Sequence, residues 1–167
     1  MTAGTVILTA RDVDTRLDTL ACIDAVERGL CLHEAGAVVG PTSLGLRTPD
    51  GTFHVKAAGL TTGGRSYIAA KANMNLPGNP VRNGRPTIQG VLVLLDAGDG
   101  LPLAIMDSIV ITSVRTGAVA AVAAKYLALP DADPVTISRT RHRRDRHVES
   151  RGPGCTKPDC RYLHDVA

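Results

Sequence analysis

The spacing of apolar residues changes character along the chain, and each change predicts an element. Gly4 to Thr9 is a short β-branched run suited to a strand. The Asp12/Asp14 region then offers helix caps, and Leu17, Leu20, Ala21, Ile23, Ala25, Val26 and Leu30 recur at helical spacing, which predicts a first helix ending near Gly36. From Leu44 to Asp107 the turn signals Pro49-Asp50-Gly51, Gly63-Gly64, Pro77-Gly78-Asn79, Asn83-Gly84 and Asp99-Gly100 separate short apolar or alternating runs. That pattern reads as about five strands joined largely as hairpins or meanders. Ile109 to Leu129 is rich in Ala, a strong helix former, and Pro130 stops the helix it predicts. Pro134 to Ile137 begins what reads as a buried strand.

Beyond Ile137 the texture collapses. Ser138-Arg139-Thr140-Arg141-His142-Arg143-Arg144-Asp145-Arg146-His147 has no apolar residue and no periodicity, so Ser138 to Ala167 is expected to be disordered: it buries too little apolar surface to offset ordering entropy. The expected organisation is therefore an α+β domain over residues 1–130, a remnant first strand of a second domain over 131–137, and a basic tail over 138–167. At 167 residues the chain is long enough for one ordinary domain and short for two.

Composition changes this picture in two places. With no Trp, one Phe and three Tyr, the core must be built from aliphatic side chains. The net charge of +3 hints at polyanions until it is divided: Met1 to Ile137 holds 11 Lys and Arg against 12 Asp and Glu, and the remainder holds eight against four. The basic character belongs to the tail, so nucleic acid is not expected as a partner. No apolar run is read as long enough to cross a bilayer and no basic leader precedes one, which points to a cytoplasmic protein without a membrane partner. Cys22, Cys31, Cys155 and Cys160 are spaced unlike a disulfide framework and read as free thiols. Cys155, Cys160 and His164 lack a fourth ligand at zinc spacing, so no metal is expected.

Three cations sit beside turns or in strands rather than on an evident solvated helix face: Arg47, Lys71 and Arg115. Lys71 follows Ile68-Ala69-Ala70, where a charge on an inner strand face needs an anionic partner. Arg115 is placed near the start of a helix, where backbone amides favour anions such as phosphate. His54 and Lys56 alternate along a strand; they could line a pocket, although surface or core positions are the plainer reading.

The runs Phe53-His54-Val55-Lys56-Ala57-Ala58-Gly59, Ala70-Lys71-Ala72-Asn73, Arg85-Pro86-Thr87-Ile88-Gln89-Gly90, Pro102 to Asp107 and Ile111 to Ala118 resemble, in order and spacing, the ornithine cyclodeaminase/mu-crystallin family. The resemblance covers Val6 to Ile137. It implies a curved, mainly antiparallel sheet with flanking helices, serving substrate binding and dimerisation, with sheet edges pairing across a two-fold axis. It implies that Arg47, Lys71 and Arg115 gather round the substrate carboxylate and reacting centre, Lys71 being catalytic. Thr87, Arg115 and Thr116 would meet NAD, the last two at a helix start, while Asp107 reads as a cap. The implied chemistry is NAD-dependent: an amino acid such as ornithine gives a hydride from Cα, the imine is attacked by the δ-amine, ammonia leaves and the hydride returns to give proline. Relatives that stop partway are alanine dehydrogenases or ketimine reductases.

The chain departs from the family after Ile137. A Gly-x-Gly-x-x-Gly turn is expected there, and Arg139, Arg141 and Arg144 stand at that spacing instead, as a one-base frameshift of Gly codons would produce. Arginine cannot take the glycines' place, because the turn needs positive φ and bare backbone against the phosphate. The sequence thus leads to the N-terminal part of such an enzyme or ammonia-lyase, lacking its Rossmann domain and inactive alone. The alternatives are a non-catalytic protein binding a small carboxylate or amino acid, and a nucleic-acid module using the tail.

Overall fold

A computed structural model of the chain describes residues 4–129. The strand expected at 131–137, the basic tail at 138–167 with its arginine spacing, and Cys155, Cys160 and His164 lie outside them. The elements follow one another as β1 (Val6–Leu8), α1 (Ala10–Arg16), α2 (Thr19–Glu34), β2 (Val38–Thr48), β3 (Gly51–Thr62), β4 (Arg65–Asn75), α3 (Asn79–Asn83), β5 (Ile88–Asp96), β6 (Pro102–Asp107) and α4 (Ile109–Leu127). The fold is α+β, with one six-stranded sheet in the order β1-β6-β5-β4-β3-β2. Among the described residues only β1 and β6 pair in parallel, and the other pairings are antiparallel.

The hairpins come from the turn residues. Gly63 and Gly64 have φ of 58° and 74°, so β3 and β4 are joined by a two-residue turn whose positive φ at both positions matches the twist of the strands. Pro77-Gly78-Asn79 and Asn83-Gly84, read as turns, instead bracket the short helix α3, which Gly84 ends in the left-handed conformation.

The single early helix expected up to Gly36 is two helices. Thr9 and Asp12 form a reciprocal cap at the start of α1: the Thr9 amide and hydroxyl donate to Asp12 Oδ2 at 3.0 and 2.6 Å, and the Asp12 amide donates to Thr9 Oγ1 at 3.3 Å. Asp18 then accepts from the Ala21 amide at 2.7 Å and begins α2 anew.

The described residues divide into two compact units, one of 4–16 with Leu30–Ile111, the other of Leu17–Gly29 with 112–129. In the first, which holds the sheet, Val13 and Ala104 are buried and α1 lies against β1 and β6. In the second, Ala118 and Val122 are buried, and Lys125 Nζ donates to Glu27 Oε1 and Oε2 at 2.9 and 2.8 Å while the Tyr126 hydroxyl donates to Glu27 as well. The described core is aliphatic, and it is thin. One expectation needs correcting: α4, at 19 residues, is long and apolar enough to cross a bilayer by length and composition. Its apolar content comes mostly from Ala and Val, and Arg115 stands within it, a costly residue at membrane depth.

Candidate functional site

Strand register sorts the candidate residues by face. Side chains opposite one another in a ladder point to the same side of the sheet. Arg47 pairs with Thr52, Thr52 with Asn75, and Asn75 with Ile88. The next row on that side is Gly45, His54, Asn73 and Gly90, and the one after is Ser43, Lys56, Lys71, Leu92 and Met106. Arg47 and Lys71 therefore share a face with His54, Lys56, Asn73 and Asn75. Two strands across and four residues along place the Arg47 and Lys71 Cα atoms about 16 Å apart, so an anion held by both lies between them, over His54 and Asn73.

The opposite face is apolar. It carries Leu44, Leu46, Phe53, Val55, Val91 and Ile105, and of these Leu44, Leu46, Val91 and Ile105 are exposed. A depression of about 320 Å³ lined by Val39, Thr42, Ala57, Gly59 and Ile68 lies chiefly on that face and has no charged lining residue. It is not where the chemistry-bearing side chains are.

On the polar face the middle row is tied to the end of β6. Ser108, fully buried, donates its hydroxyl to Asn73 Oδ1 at 2.7 Å and its amide to the Gly90 carbonyl at 3.1 Å. A Cβ on Gly90 would run into the Ala72 carbonyl and Asn73 Oδ1, so glycine is what lets Asn73 lie across β5. Neighbouring Asn75 has a buried Oδ1 with no hydrogen-bond partner among the described residues, an acceptor left for a donor from outside. His54 Nε2 contacts Thr52 Oγ1 at 3.0 Å, and its ring stands over Gly45, where no side chain competes for the space.

Lys71 is half-buried and Arg47 exposed. Thr87, half-buried ahead of β5, accepts at its carbonyl from the Leu76 amide at 2.8 Å. Arg115 and Thr116 belong to the second unit, are exposed, and sit in the second turn of α4 rather than at its start. Their amides are past the four unpaired ones that a helix N-terminus offers, so a phosphate would meet side chains there, not free backbone. The Thr116 hydroxyl itself donates to the Thr112 carbonyl at 2.7 Å. Asp107 is a cap: its Oδ1 accepts from the Ile109 amide at 2.8 Å.

Residue type alone marks Arg47 and Lys71 in the sequence, but not Asn73, Asn75 and Ser108. The signal for the Lys56–Lys71 pairing was present: the two-residue Gly63-Gly64 turn fixes the register of the β3–β4 hairpin and sets Lys56 opposite Lys71.

Among the described residues there is no group of three or more His, Cys, Asp or Glu able to hold a metal. The sequence profile described as the ornithine cyclodeaminase/mu-crystallin family matches residues 3–138. The alanine dehydrogenase of Archaeoglobus fulgidus is 35% identical over 124 residues, covering 74% of this chain and 37% of that protein. An archaeal alanine dehydrogenase dimer with bound NAD superposes with a TM-score of 0.71 at 34% identity, over 76% of this chain and 38% of that one. The Δ1-pyrroline-2-carboxylate reductase of Thermococcus litoralis, in complex with NADH and L-proline, gives a TM-score of 0.70 at 28% identity, over 76% and 39%. The chain thus spans less than two fifths of these relatives' length.

Proposed function

Because this chain belongs to the ornithine cyclodeaminase/mu-crystallin family, we propose that its polar sheet face binds the carboxylate of a small amino acid or imine and orients it for NAD-dependent chemistry at the substrate's Cα–N bond. The observation that carries this reading is the register that puts Arg47 and Lys71 on one side of the sheet, with the unpartnered Asn75 acceptor beside them. The Arg47 guanidinium can take the carboxylate in a two-pronged hydrogen bond, and the Lys71 ammonium stands as a point charge against the reacting end. Holding the substrate in one pose removes much of the entropic barrier to transfer.

Arg115 fits a dinucleotide phosphate, being an exposed cation on a helix that contains no carboxylate, with exposed Thr116 next to it in the chain. Thr87, ahead of β5, is assigned to the cofactor on the family's pattern alone. The nicotinamide, when bound, supplies the acceptor and donor of the hydride. Ornithine to proline with loss of ammonia is the fullest form of this chemistry; alanine oxidation and cyclic-imine reduction are its shorter forms. A homo-oligomer is part of the proposal, supported by the exposed apolar face and by the dimeric relative.

Calorimetric titration of the chain with L-alanine, L-ornithine and L-proline tests the reading. Binding of at least one of them is expected, weakened about tenfold or more in Lys71→Ala and Arg47→Ala, the cost of removing a charged hydrogen-bonding partner, and unchanged in Arg85→Ala, an exposed cation outside the site. Undiminished binding by Lys71→Ala would overturn it.

A further inference from the structure

Resting on that reading, we infer that His54 exchanges a proton with the substrate's nitrogen, its Nδ1 taking a proton from the ammonium of a bound amino acid and returning it to the amine in the reverse direction. His54 belongs to the row between those of Arg47 and Lys71. It is the diagonal cross-strand neighbour of both: its partner on β2 is Gly45, two residues before Arg47, and its partner on β4 is Asn73, two residues after Lys71. Residues so related stand about 7–8 Å apart, within reach of long and ring-bearing side chains. A substrate with its carboxylate on Arg47 and its Cα–N end toward Lys71 therefore crosses the His54 row, where the imidazole is exposed to meet it.

The three rows hold no carboxylate that could do this instead. Asp50, in the β2–β3 turn, is bound to Arg82 at 2.9 Å, and Asp107 points to the other face as a helix cap. Amides and hydroxyls do not take up protons, and arginine and lysine side chains ordinarily keep theirs at neutral pH. Imidazole is the side-chain type that exchanges a proton there, and the other histidine among the described residues, His33, is in the last turn of α2. The ring is held by Thr52, whose Oγ1 stands 3.0 Å from Nε2. We assign the ring proton to Nε2, donated to that oxygen, which leaves a lone pair on Nδ1 and orients the base as a neighbouring partner does in other proton-transfer sites. Nδ1 lies on the Gly45 side, where a Cβ would stand 3.5 Å from it, so glycine keeps side-chain atoms away from that nitrogen. In the oxidative direction Nδ1 accepts one ammonium proton and the electron pair of the broken N–H bond stays on the substrate nitrogen. That pair forms the C=N bond of a protonated imine as the hydride leaves Cα for the oxidised nicotinamide. In the reductive direction the hydride arrives at the imine carbon, and the imidazolium gives its Nδ1 proton to the amine.

The test is nitrogen-detected spectroscopy of the histidine rings in the isotope-labelled chain, titrated with L-alanine and with propionate, which keeps the carboxylate and lacks the amine. L-Alanine is expected to displace the His54 Nδ1 signal toward the position of a protonated ring nitrogen. Propionate is expected to move the Arg47 signals and leave Nδ1 in place. His54→Ala should weaken L-alanine binding about tenfold, the loss of a hydrogen bond to a charged group, and leave propionate unchanged; a ring serving only the fold would weaken both ligands alike. Equal displacement of Nδ1 by the two ligands, or L-alanine bound as tightly by His54→Ala as by the parent, overturns the inference while leaving carboxylate binding through Arg47 and Lys71 in place. Arg47 and Lys71 signals unmoved by either ligand overturn both.

Discussion

Asn73 shows how much of the site depends on a single side chain. Its Oδ1 is the acceptor for the hydroxyl of fully buried Ser108, and Gly90 leaves the space it occupies. Asn73→Ala should cost about 1–3 kcal/mol, the penalty for stranding a buried donor, and Gly90→Ala should destabilise as well by driving a methyl into the Ala72 carbonyl. Urea unfolding midpoints check both; an Asn73→Ala chain as stable as the parent would mean that Ser108 finds another acceptor. Arg47 and Lys71 were legible in the sequence because charge in an apolar setting is conspicuous. Asn73 and Ser108 were not, since an amide and a hydroxyl acquire meaning only when segments far apart in sequence, here 35 residues, come together.

Elements were legible to the extent that local chemistry decides them. The Gly63-Gly64 hairpin and the Ala-rich α4 followed from turn geometry and helix propensity. The division between α1 and α2 did not, because apolar spacing runs through it and the break is made by caps: Thr9 with Asp12, then Asp18. Thr9→Ala should therefore lower stability by about 1 kcal/mol, read as a shift in thermal midpoint. The middle of α2 and the end of α4, both within the second unit, supply a pH-dependent contact. Hydrogen bonds from Lys125 and then Tyr126 hold the Glu27 carboxyl below its ordinary 4.5. The hydrogen bond to Glu27 raises Lys125 above 10.5. A depressed carboxyl contributes stability above 4.5 that is lost as pH falls through its lowered native value; a raised lysine contributes stability below 10.5 that is lost as pH rises through its raised one. Glu27→Gln should thus be less stable than the parent at neutral pH, with the gap closing as pH drops below 4.5. A gap that persisted unchanged into that acid range would assign the effect to packing.

At the scale of the whole molecule, a thin aliphatic core accompanies a sheet face that leaves Leu44, Leu46, Val91 and Ile105 in contact with water. Exposed apolar surface on this scale marks a place for a partner, and an isologous pairing of two copies covers the same patch on both. Sedimentation should show a species of twice the chain mass, reduced to monomer by Leu44→Asp with Val91→Asp; a monomeric parent chain would remove the homo-oligomer from the account. The alternation in β3 of His54 and Lys56 with Phe53, Val55 and Ala57 already carried this two-sidedness in the sequence. What it could not carry was which side faces the substrate, because that depends on the register of five strands at once.

That sidedness is the centre of the account, and amide chemical-shift mapping tests it most directly. With the isotope-labelled chain titrated with L-alanine and L-glutamate, saturable shifts are expected at Arg47, Thr52, His54, Asn73 and Asn75 and in the Lys71 side chain, and none centred on Leu44, Val55 or Val93 of the opposite face. Saturable shifts centred on that apolar face, with the Arg47 to Lys71 rows unmoved, would contradict it.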